Sequence, residues 1–178
     1  AKARPGGINY ASGGIGSAPH LTAEVFKSMA GINLVHVPYK GSTPAFTDLV
    51  GGRIDYLFAS VPEVIGHIRG RTLRALAVTS PRRSKAFPDL PTAIEAGLPN
   101  YVVLGWAGVF APARVPRVLI DRINTAINEG LADAVTLERL LASGSEPSAM
   151  SAAEFTRFTQ AEAARWAGVV KEARISPE

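Results

Sequence analysis

The chain contains no cysteine among its 178 residues. Disulfides, thiolate chemistry and cysteine-ligated zinc or iron–sulfur sites are therefore excluded. The three histidines, His20, His36 and His67, lack the spacing of a metal site, so we expect no metal. No apolar run approaches the length of a membrane span. The first residues, Ala-Lys-Ala-Arg-Pro-Gly-Gly, do not resemble a signal peptide and read as internal sequence or as the product of processing.

The signatures of nucleotide-binding proteins are incomplete in this chain. The segment Gly14-Ile-Gly16-Ser-Ala-Pro19 has proline where the dinucleotide fingerprint needs its third glycine, and no suitable acidic residue follows it. In Lys40-Gly41-Ser42 the lysine precedes the glycine, whereas in a P-loop it follows the glycine. We therefore expect no nucleotide cofactor, and no other cofactor is predicted.

A serine and a histidine, Ser17 and His20, lie close together in the sequence, as a nucleophile and its base could. The chain has no Gly-x-Ser-x-Gly elbow, and no acid is obviously placed to orient the imidazole. Ser17 is more simply a helix cap, and His20 a residue of the first turn that lines a pocket. The sequence predicts no catalytic residue, and a small serine/histidine hydrolase or transferase is kept as an alternative.

The formal net charge is +4, which is mildly basic. One dense basic group is present, made of Arg69, Arg71, Arg74, Arg82, Arg83 and Lys85. We interpret it as a solvated edge, because such runs are weak signals of nucleic-acid binding. An anionic ligand explains the positive net charge more simply, and no nucleic-acid partner is expected.

Three strand–loop–helix units begin the chain. Strands are predicted over 8–12, 33–37 and 54–59, helices over 19–30, from Pro44 to Gly51 and from Ser60 to Gly70, and a fourth strand over 73–79. Strands that alternate with helices of this length imply right-handed crossovers and a mostly parallel sheet covered on both faces. The predicted fold class is therefore α/β.

The loops that follow the three strands carry the candidate site. In open α/β sheets ligands bind beyond the carboxyl ends of the strands, so the loops 12–17 and 39–42 and the residue Ser60 are expected to converge on one rim. Glycines in the first loop allow close backbone approach, and we expect free N–H groups there beside the hydroxyls of Ser12 and Ser17. Such a site favours an anion.

The second half of the chain changes in composition. Residues 80–99 are predicted to be a loop with a short helix near 92–96, followed by a strand over 101–111. Only helices follow Pro116, and Ser151-Ala-Ala-Glu154 is a capping-box signature. These helices have no sheet of their own to cover, so their apolar stripes indicate a missing segment or a partner.

Six segments resemble one family, in the same order along the chain. They are Asn9-Tyr-Ala-Ser-Gly-Gly-Ile-Gly-Ser-Ala-Pro-His20, His36-Val-Pro-Tyr-Lys-Gly-Ser42, Leu73-Arg-Ala-Leu-Ala-Val-Thr-Ser80, Phe87-Pro-Asp-Leu-Pro-Thr92, Glu95-Ala-Gly-Leu-Pro99 and Trp106-Ala-Gly-Val-Phe-Ala-Pro112. Together they are similar to the Bug-type extracytoplasmic solute receptors of tripartite tricarboxylate transporters, over essentially the whole chain.

The resemblance implies a periplasmic binding protein of type II-like architecture, with two α/β lobes that close on a small carboxylate. It implies no enzymatic activity, and it implies membrane components of the transporter as partners. Residues 7–99 would form the second, ligand-binding lobe, residues 100–112 the crossing strand, and residues 113–178 helices that return to a mostly absent first lobe. Self-association or a separate N-terminal fragment would then cover the apolar helices.

The resemblance also implies ligand-binding residues, which are Ser12, Gly13, Gly14, Gly16, Ser17, His20, Tyr39, Lys40, Gly41, Ser42 and Ser60. Backbone N–H groups and serine hydroxyls would bind the carboxylate of a small organic acid or an amino acid, and Tyr39 would cover its apolar part. Lys40 would add charge or face solvent. Ala59 stands where the family commonly has Asp, which bears on recognition of an amino group. A ligand-sensing effector domain of a regulator is a further alternative.

Overall fold

The computed structural model describes residues 1–3, 5–173 and 175. Within these residues the strands are β1 (Asn9–Ser12), β2 (Val35–Pro38) and β3 (Tyr56–Leu57). The helices are α1 (Ala18–Ala30), α2 (Ser42–Val50), α3 (Val61–Arg69), α4 (Arg117–Ala132), α5 (Ala134–Ala142) and α6 (Ala152–Glu172). The predicted alternation of strand and helix is confirmed over the first 70 residues.

The strands form one parallel sheet in the order β2–β1–β3. In the central strand Tyr10 is paired with His36 on one side and with Tyr56 on the other. Both pairings are parallel, so the carboxyl ends of all three strands lie at the same edge. The predicted parallel sheet is confirmed, although β3 is shorter than expected.

The sheet buries both of its faces. On one face Tyr10, Ala23 and Leu34 form a core cluster, and on the other Ala11 packs with Ala45 and Ile54. Successive residues of β1 point to opposite faces, so α1 covers one side of the sheet and α2 the other. This explains why the central strand is apolar at both positions rather than alternating with polar residues.

Helix boundaries follow local signals. Gly31 ends α1 in the left-handed region with φ of 61°, and the amide of Ile32 donates to the carbonyl of Lys27 at 3.1 Å. At the start of α6 the amide of Ser151 donates to Glu154 at 2.9 Å, and the amide of Glu154 donates back to Ser151 Oγ at 3.2 Å. The predicted capping box is confirmed.

Two predicted strands are wrong. Within the described residues, 73–77 have no sheet pairing, and Val78 makes a single parallel bridge with Thr92. Residues 101–111 are also unpaired as a strand, although Val103 N donates to the carbonyl of Thr79 at 2.9 Å. Both segments are apolar, but a strand also needs a neighbour along its length, and Leu76 is 63% exposed. The short helix near 92–96 is a single turn.

The C-terminal helices pack on the rest of the chain at two places. Helix α6 contacts α1 and α4, and α4 contacts α5. Trp106 lies edge-on to Phe155 and Phe158 of α6, with ring centroids 5.9 and 5.2 Å apart. Among the helices of the described ranges, none combines the length and hydropathy needed to cross a membrane.

Candidate functional site

The first two loops meet at the carboxyl edge of the sheet. Tyr39 N donates to the carbonyl of Ser12 at 2.9 Å, and Gly41 N donates to the carbonyl of Gly13 at 3.1 Å. A methyl group built on Gly13 would lie 3.5 Å from the carbonyl carbon of Gly41. A methyl group at Gly13 would therefore make only ordinary van der Waals contact, and the approach of the two loops excludes larger side chains.

A small cavity opens where these loops approach the end of β3. Polar residues Ser12, Ser42 and Glu63 line it, together with Gly13, Phe58 and Ala59. Phe46 and Leu57 add apolar wall. The expected convergence of the three loops is thus present in the geometry, and the ligand-binding role of their residues stays a prediction.

Hydrogen bonds inside the first loop occupy most of its amides. Gly14 N donates to Ser12 Oγ at 3.2 Å, Gly16 N to His20 Nδ1 at 3.0 Å, and Ser17 N to the carbonyl of Gly14 at 3.2 Å. The expectation that these three N–H groups are free for an anion is wrong. The loop is tight enough, with φ of 138° at Gly14 and 76° at Gly16, for side chains to reach its own backbone.

Of the backbone donors that remain, those of Gly13 and Ser42 belong to residues that line the cavity. Among the hydrogen bonds of the described residues, the amides of Gly13 and Ile15 have no acceptor. Gly41 is the N-cap of α2 and makes no side-chain cap, so the first amides of that helix, at Ser42 and Thr43, lack intrahelical partners. The start of α2, rather than the glycine loop alone, carries the donors suited to an anion.

Ser17 occupies the N-cap position of α1, as predicted, but its side chain does not cap the helix. Its hydroxyl donates to the carbonyl of Gly14 at 2.7 Å. His20 Nδ1 accepts from Gly16, so the serine and the histidine are each engaged elsewhere. A nucleophile and its base must share a hydrogen bond, and the geometry therefore gives no support to the hydrolase alternative.

His20 lies beneath the loop and does not line the cavity. It is 6% exposed, and its ring stacks on that of His36 with centroids 4.0 Å apart and planes 6° apart. Tyr10, the cross-strand neighbour of His36, lies beside it with centroids 4.8 Å apart, and His36 Nε2 lies 2.7 Å from Ser12 Oγ. The predicted pocket residue thus supports the loop from below, and His36 is a neighbour that sequence reasoning missed.

Burial controls the charge of the two imidazoles. It lowers the pKa of His20, although Glu24 nearby acts in the opposite direction. Burial and the neighbouring His20 lower the pKa of His36 to about 4. Both rings are therefore neutral near neutral pH.

Glu24 is the charged group nearest to the pair. Tyr10 Oη donates to Glu24 Oε1 at 2.6 Å and Lys27 Nζ at 2.7 Å, and His20 Nε2 lies 3.8 Å from the same oxygen. Burial opposes ionisation of this carboxyl, but the hydrogen bonds from Lys27 and Tyr10 outweigh it and lower the pKa of Glu24. The Glu24 carboxylate is thus stabilised by Lys27 and Tyr10, and its ionised form does not require a charged histidine.

Tyr39 and Lys40 do not line the cavity. Tyr39 Oη donates to Asp48 Oδ2 at 2.6 Å, Asp48 also accepts from Arg53, and the ring packs against the cluster around Ala45. The ring of Tyr39 is therefore held in the core of the α2 side, and Lys40 is exposed. Neither position supports the ligand cover or the added charge that the sequence predicted.

Glu63 is the cavity residue that the sequence analysis did not identify. Ser60 donates to Glu63 Oε2 through its amide at 3.0 Å and its hydroxyl at 2.6 Å. Burial would raise the pKa of Glu63, but hydrogen bonds from Ser60 and Ser42 lower it. The signal was available, because Ser60-Val-Pro-Glu63 is a capping box at the start of α3. Ser60 is therefore occupied with Glu63.

The site combines hydroxyl and amide donors, an apolar wall and one carboxylate. No group of three or more histidine, aspartate or glutamate side chains within the described part of the chain is arranged to hold a metal ion. The cavity has a volume of about 10 Å³, so it admits only a small polar or anionic group at the start of α2 and not a whole ligand.

A family model described as "Tripartite tricarboxylate transporter family receptor" matches residues 1–175. The chain belongs to this family. The receptor family consists of binding proteins rather than enzymes, so the predicted resemblance and the non-enzymatic class are confirmed at the level of the family.

Relatives and solved structures agree with this assignment. The protein BugT of Bordetella pertussis is 40% identical over 171 residues, which are 96% of this chain and 52% of BugT. The structure "R. palustris Rpa4515 with adipate" superposes with a TM-score of 0.92 at 36% identity, covering 100% of this chain and 60% of that one. The periplasmic binding protein BugD superposes with a TM-score of 0.86 at 31% identity, covering 99% of this chain and 60% of that one.

These superpositions confirm the predicted α/β fold of a periplasmic solute-binding protein. The chain spans about half the length of the curated relatives it matches, 53% and 52% for two of them. The predicted division into residues 7–99, 100–112 and 113–178 is not tested by these comparisons and stays a prediction.

Proposed function

We propose that this chain is the ligand-binding part of an extracytoplasmic receptor for a small organic carboxylate. The receptor acts in the periplasm and delivers its ligand to the membrane components of a tripartite tricarboxylate transporter. The observation that carries the proposal is the cavity at the carboxyl ends of β1 to β3, with Ser42 and the start of α2 on its wall. An adipate-bound relative with a TM-score of 0.92 supports the ligand class.

The carboxylate binds at the start of α2. The amides of Ser42 and Thr43 point along the helix axis out of its first turn, where the positive end of the helix dipole also favours an anion. Gly13 contributes an amide from the neighbouring loop. The hydroxyl of Ser12 is already within hydrogen-bond distance of Gly14 and His36, and that of Ser42 interacts with Glu63, so Ser42 turns from Glu63 to the ligand to supply the side-chain donor.

Glu63 limits how the ligand lies. A second carboxylate placed beside it would meet a like charge at short distance, which is unfavourable in a partly buried site. The hydrocarbon part of the ligand therefore extends out of the cavity, whose volume is about 10 Å³, and away from Glu63. Its far end is bound by the rest of the receptor, since this chain matches 60% of the adipate-bound relative.

Removing the Ser42 hydroxyl is expected to weaken adipate binding by about tenfold or more, because a hydrogen bond to a charged group contributes roughly 1.5–3 kcal/mol. Isothermal titration calorimetry of the full-length receptor measures the dissociation constants of adipate and citrate for the wild type and for Ser42→Ala.

The matched control is Thr43→Ala. Its side chain lies on the same exposed first turn, and the substitution keeps the backbone amide, so its affinity should equal that of the wild type. If both variants lost binding, the cause would be a less stable α2 and not the loss of the Ser42 hydroxyl. Wild-type protein that binds neither adipate nor citrate would overturn the proposed function.

We also propose that the rest of the receptor covers one apolar face of this chain. The exposed apolar residues between positions 104 and 119 mark this face, and they are Leu104, Trp106, Val109, Phe110, Val118 and Leu119, with Val109 68% and Phe110 66% exposed. An apolar patch of this kind rarely stays exposed in a soluble protein. The two fifths of the adipate-bound relative that this chain does not match provide a segment long enough to cover it.

The 178-residue chain produced alone is expected to self-associate through this face. Light scattering over a concentration series should give a rising mass that Phe110→Ser reduces, because serine removes most of the exposed apolar area of that residue. Val50→Ser is the matched control, since Val50 is 49% exposed but lies on α2, away from the face. A wild-type chain that stays monomeric throughout the series would contradict the prediction.

A further inference from the structure

The stacked rings of His20 and His36 connect the hydrophobic core to the candidate site. Each imidazole contacts the first loop once: His20 Nδ1 accepts from the amide of Gly16 at 3.0 Å, and His36 Nε2 lies 2.7 Å from Ser12 Oγ. The two imidazole rings are parallel and 4.0 Å apart, and Tyr10 lies beside His36 on the neighbouring strand, with its ring 6.5 Å from that of His20. The loop therefore rests on a cluster of three packed rings.

The contact to Gly16 requires a neutral ring. Nδ1 can accept the amide hydrogen only with its lone pair free, so the proton of neutral His20 is on Nε2, which faces Glu24 at 3.8 Å. A proton added to Nδ1 would set two N–H groups against each other. A charge on both rings at 4.0 Å would also add direct repulsion.

The surroundings of the pair hold few charges that could offset such a change. From α1, Glu24 and Lys27 face the pair, and they are bonded to each other at 2.7 Å. From β1 and β3, Tyr10 and Tyr56 are the titratable neighbours, and burial raises the pKa of both. At acid pH Glu24 alone favours a charged ring, while Lys27 and the second imidazole oppose it.

We infer that His20 and His36 act as a pair of positioning residues that hold the 12–17 loop in its binding conformation only while His20 is neutral. Protonation of His20 releases Gly16, whereas a charged His36 still donates from Nε2 to Ser12 Oγ, and the loosened loop moves Gly13, whose carbonyl holds Gly41 at the start of α2. Ligand affinity then falls as the pH is lowered. This last step rests on the proposed function, whereas the link between the pair and the loop does not.

The test compares the wild type with His20→Asn from about pH 7.5 to about pH 4.5, a range that includes the ordinary pKa of histidine and extends below it. Asn Oδ1 lies where His20 Nδ1 lies and accepts from Gly16 without titrating. The first readout is the amide resonance and hydrogen exchange of Gly16 in the ligand-free protein. The second is the adipate dissociation constant, expressed as the ratio of wild type to variant because adipate itself takes up protons in this range.

We expect the Gly16 resonance of the wild type to move and its exchange to accelerate as the pH falls, with both nearly constant in His20→Asn. The affinity ratio should change by about tenfold over the range, the effect of losing one hydrogen bond in the loop. His67→Asn is the matched control, because His67 lies on α3 outside the pair and should keep the wild-type profile. If His20→Asn does not fold, the Gly16 resonance and exchange of the wild type decide by themselves, and their failure to change with pH overturns the inference.

A Gly16 resonance and an affinity ratio that both stay constant would overturn the inference. A Gly16 resonance that titrates while the affinity ratio stays constant would overturn the coupling to the ligand. If the wild type binds no adipate at any pH, the proposed function fails, and the Gly16 readout still decides whether the pair holds the loop.

Discussion

Replacing Tyr10 by alanine should lower the free energy of unfolding by about 3–5 kcal/mol, the range for removing a large aromatic ring from a core. Tyr10 is 0% exposed and lies in the central strand, between β2 and β3. Its ring contacts that of His36 at 4.8 Å and that of Tyr56 at 5.8 Å, so alanine would leave a cavity bounded by two strands. Urea denaturation followed by circular dichroism measures the change.

Two phenylalanine variants separate the ring from the hydroxyl. Tyr10→Phe keeps the ring and loses the hydrogen bond to Glu24, with an expected cost of about 1 kcal/mol, because Lys27 still donates to that carboxylate. Tyr56→Phe should cost little or stabilise, since the buried Tyr56 hydroxyl has no partner among the described residues. If Tyr10→Ala cost no more than Tyr10→Phe, the core assignment of this ring would be wrong.

Replacing Gly13 by valine should weaken ligand binding by about a hundredfold, which corresponds to about 2.7 kcal/mol. A Cβ at Gly13 lies 3.5 Å from the carbonyl carbon of Gly41 and 3.7 Å from Ser42 N, so the additional methyl groups of valine would push the two loops apart. The hydrogen bond from Gly41 N to Gly13 O would then be lost, and the start of α2 displaced from its neighbour. Isothermal titration with adipate measures the effect.

Gly13→Ala is the control for this substitution. Its single methyl group makes only ordinary van der Waals contacts, and the backbone at Gly13 is outside the left-handed region, so affinity should stay within about threefold of the wild type, less than 1 kcal/mol. Denaturation of both variants checks that the fold is intact. A valine variant that is folded and binds like the wild type would show that the ligand does not depend on the contact between these loops.

The local features of this fold were predictable from the sequence. Proline near the start of α1, Gly31 at its end and the capping box of Ser151 and Glu154 depend on residues within one helical turn, and the structure has each of them. The parallel sheet was predictable as well, because short strands that alternate with helices can be connected in few ways. The convergence of the loops beyond β1, β2 and β3 followed from that topology.

What only the tertiary structure decided is which groups in the site are available. The segment 73–79 and residues 101–111 have the composition of strands, but pairing depends on distant neighbours and does not form there within the described residues. The position of His20 in the sequence does not show whether its ring lines a cavity or lies under a loop. Stacking on His36, sixteen residues away, places the ring under the loop. Glu63 enters the cavity because α3 starts where β3 ends. The sequence alone thus determined the helices, the three paired strands and their order, while long-range packing decided where no strand forms and which donors the loops keep for themselves.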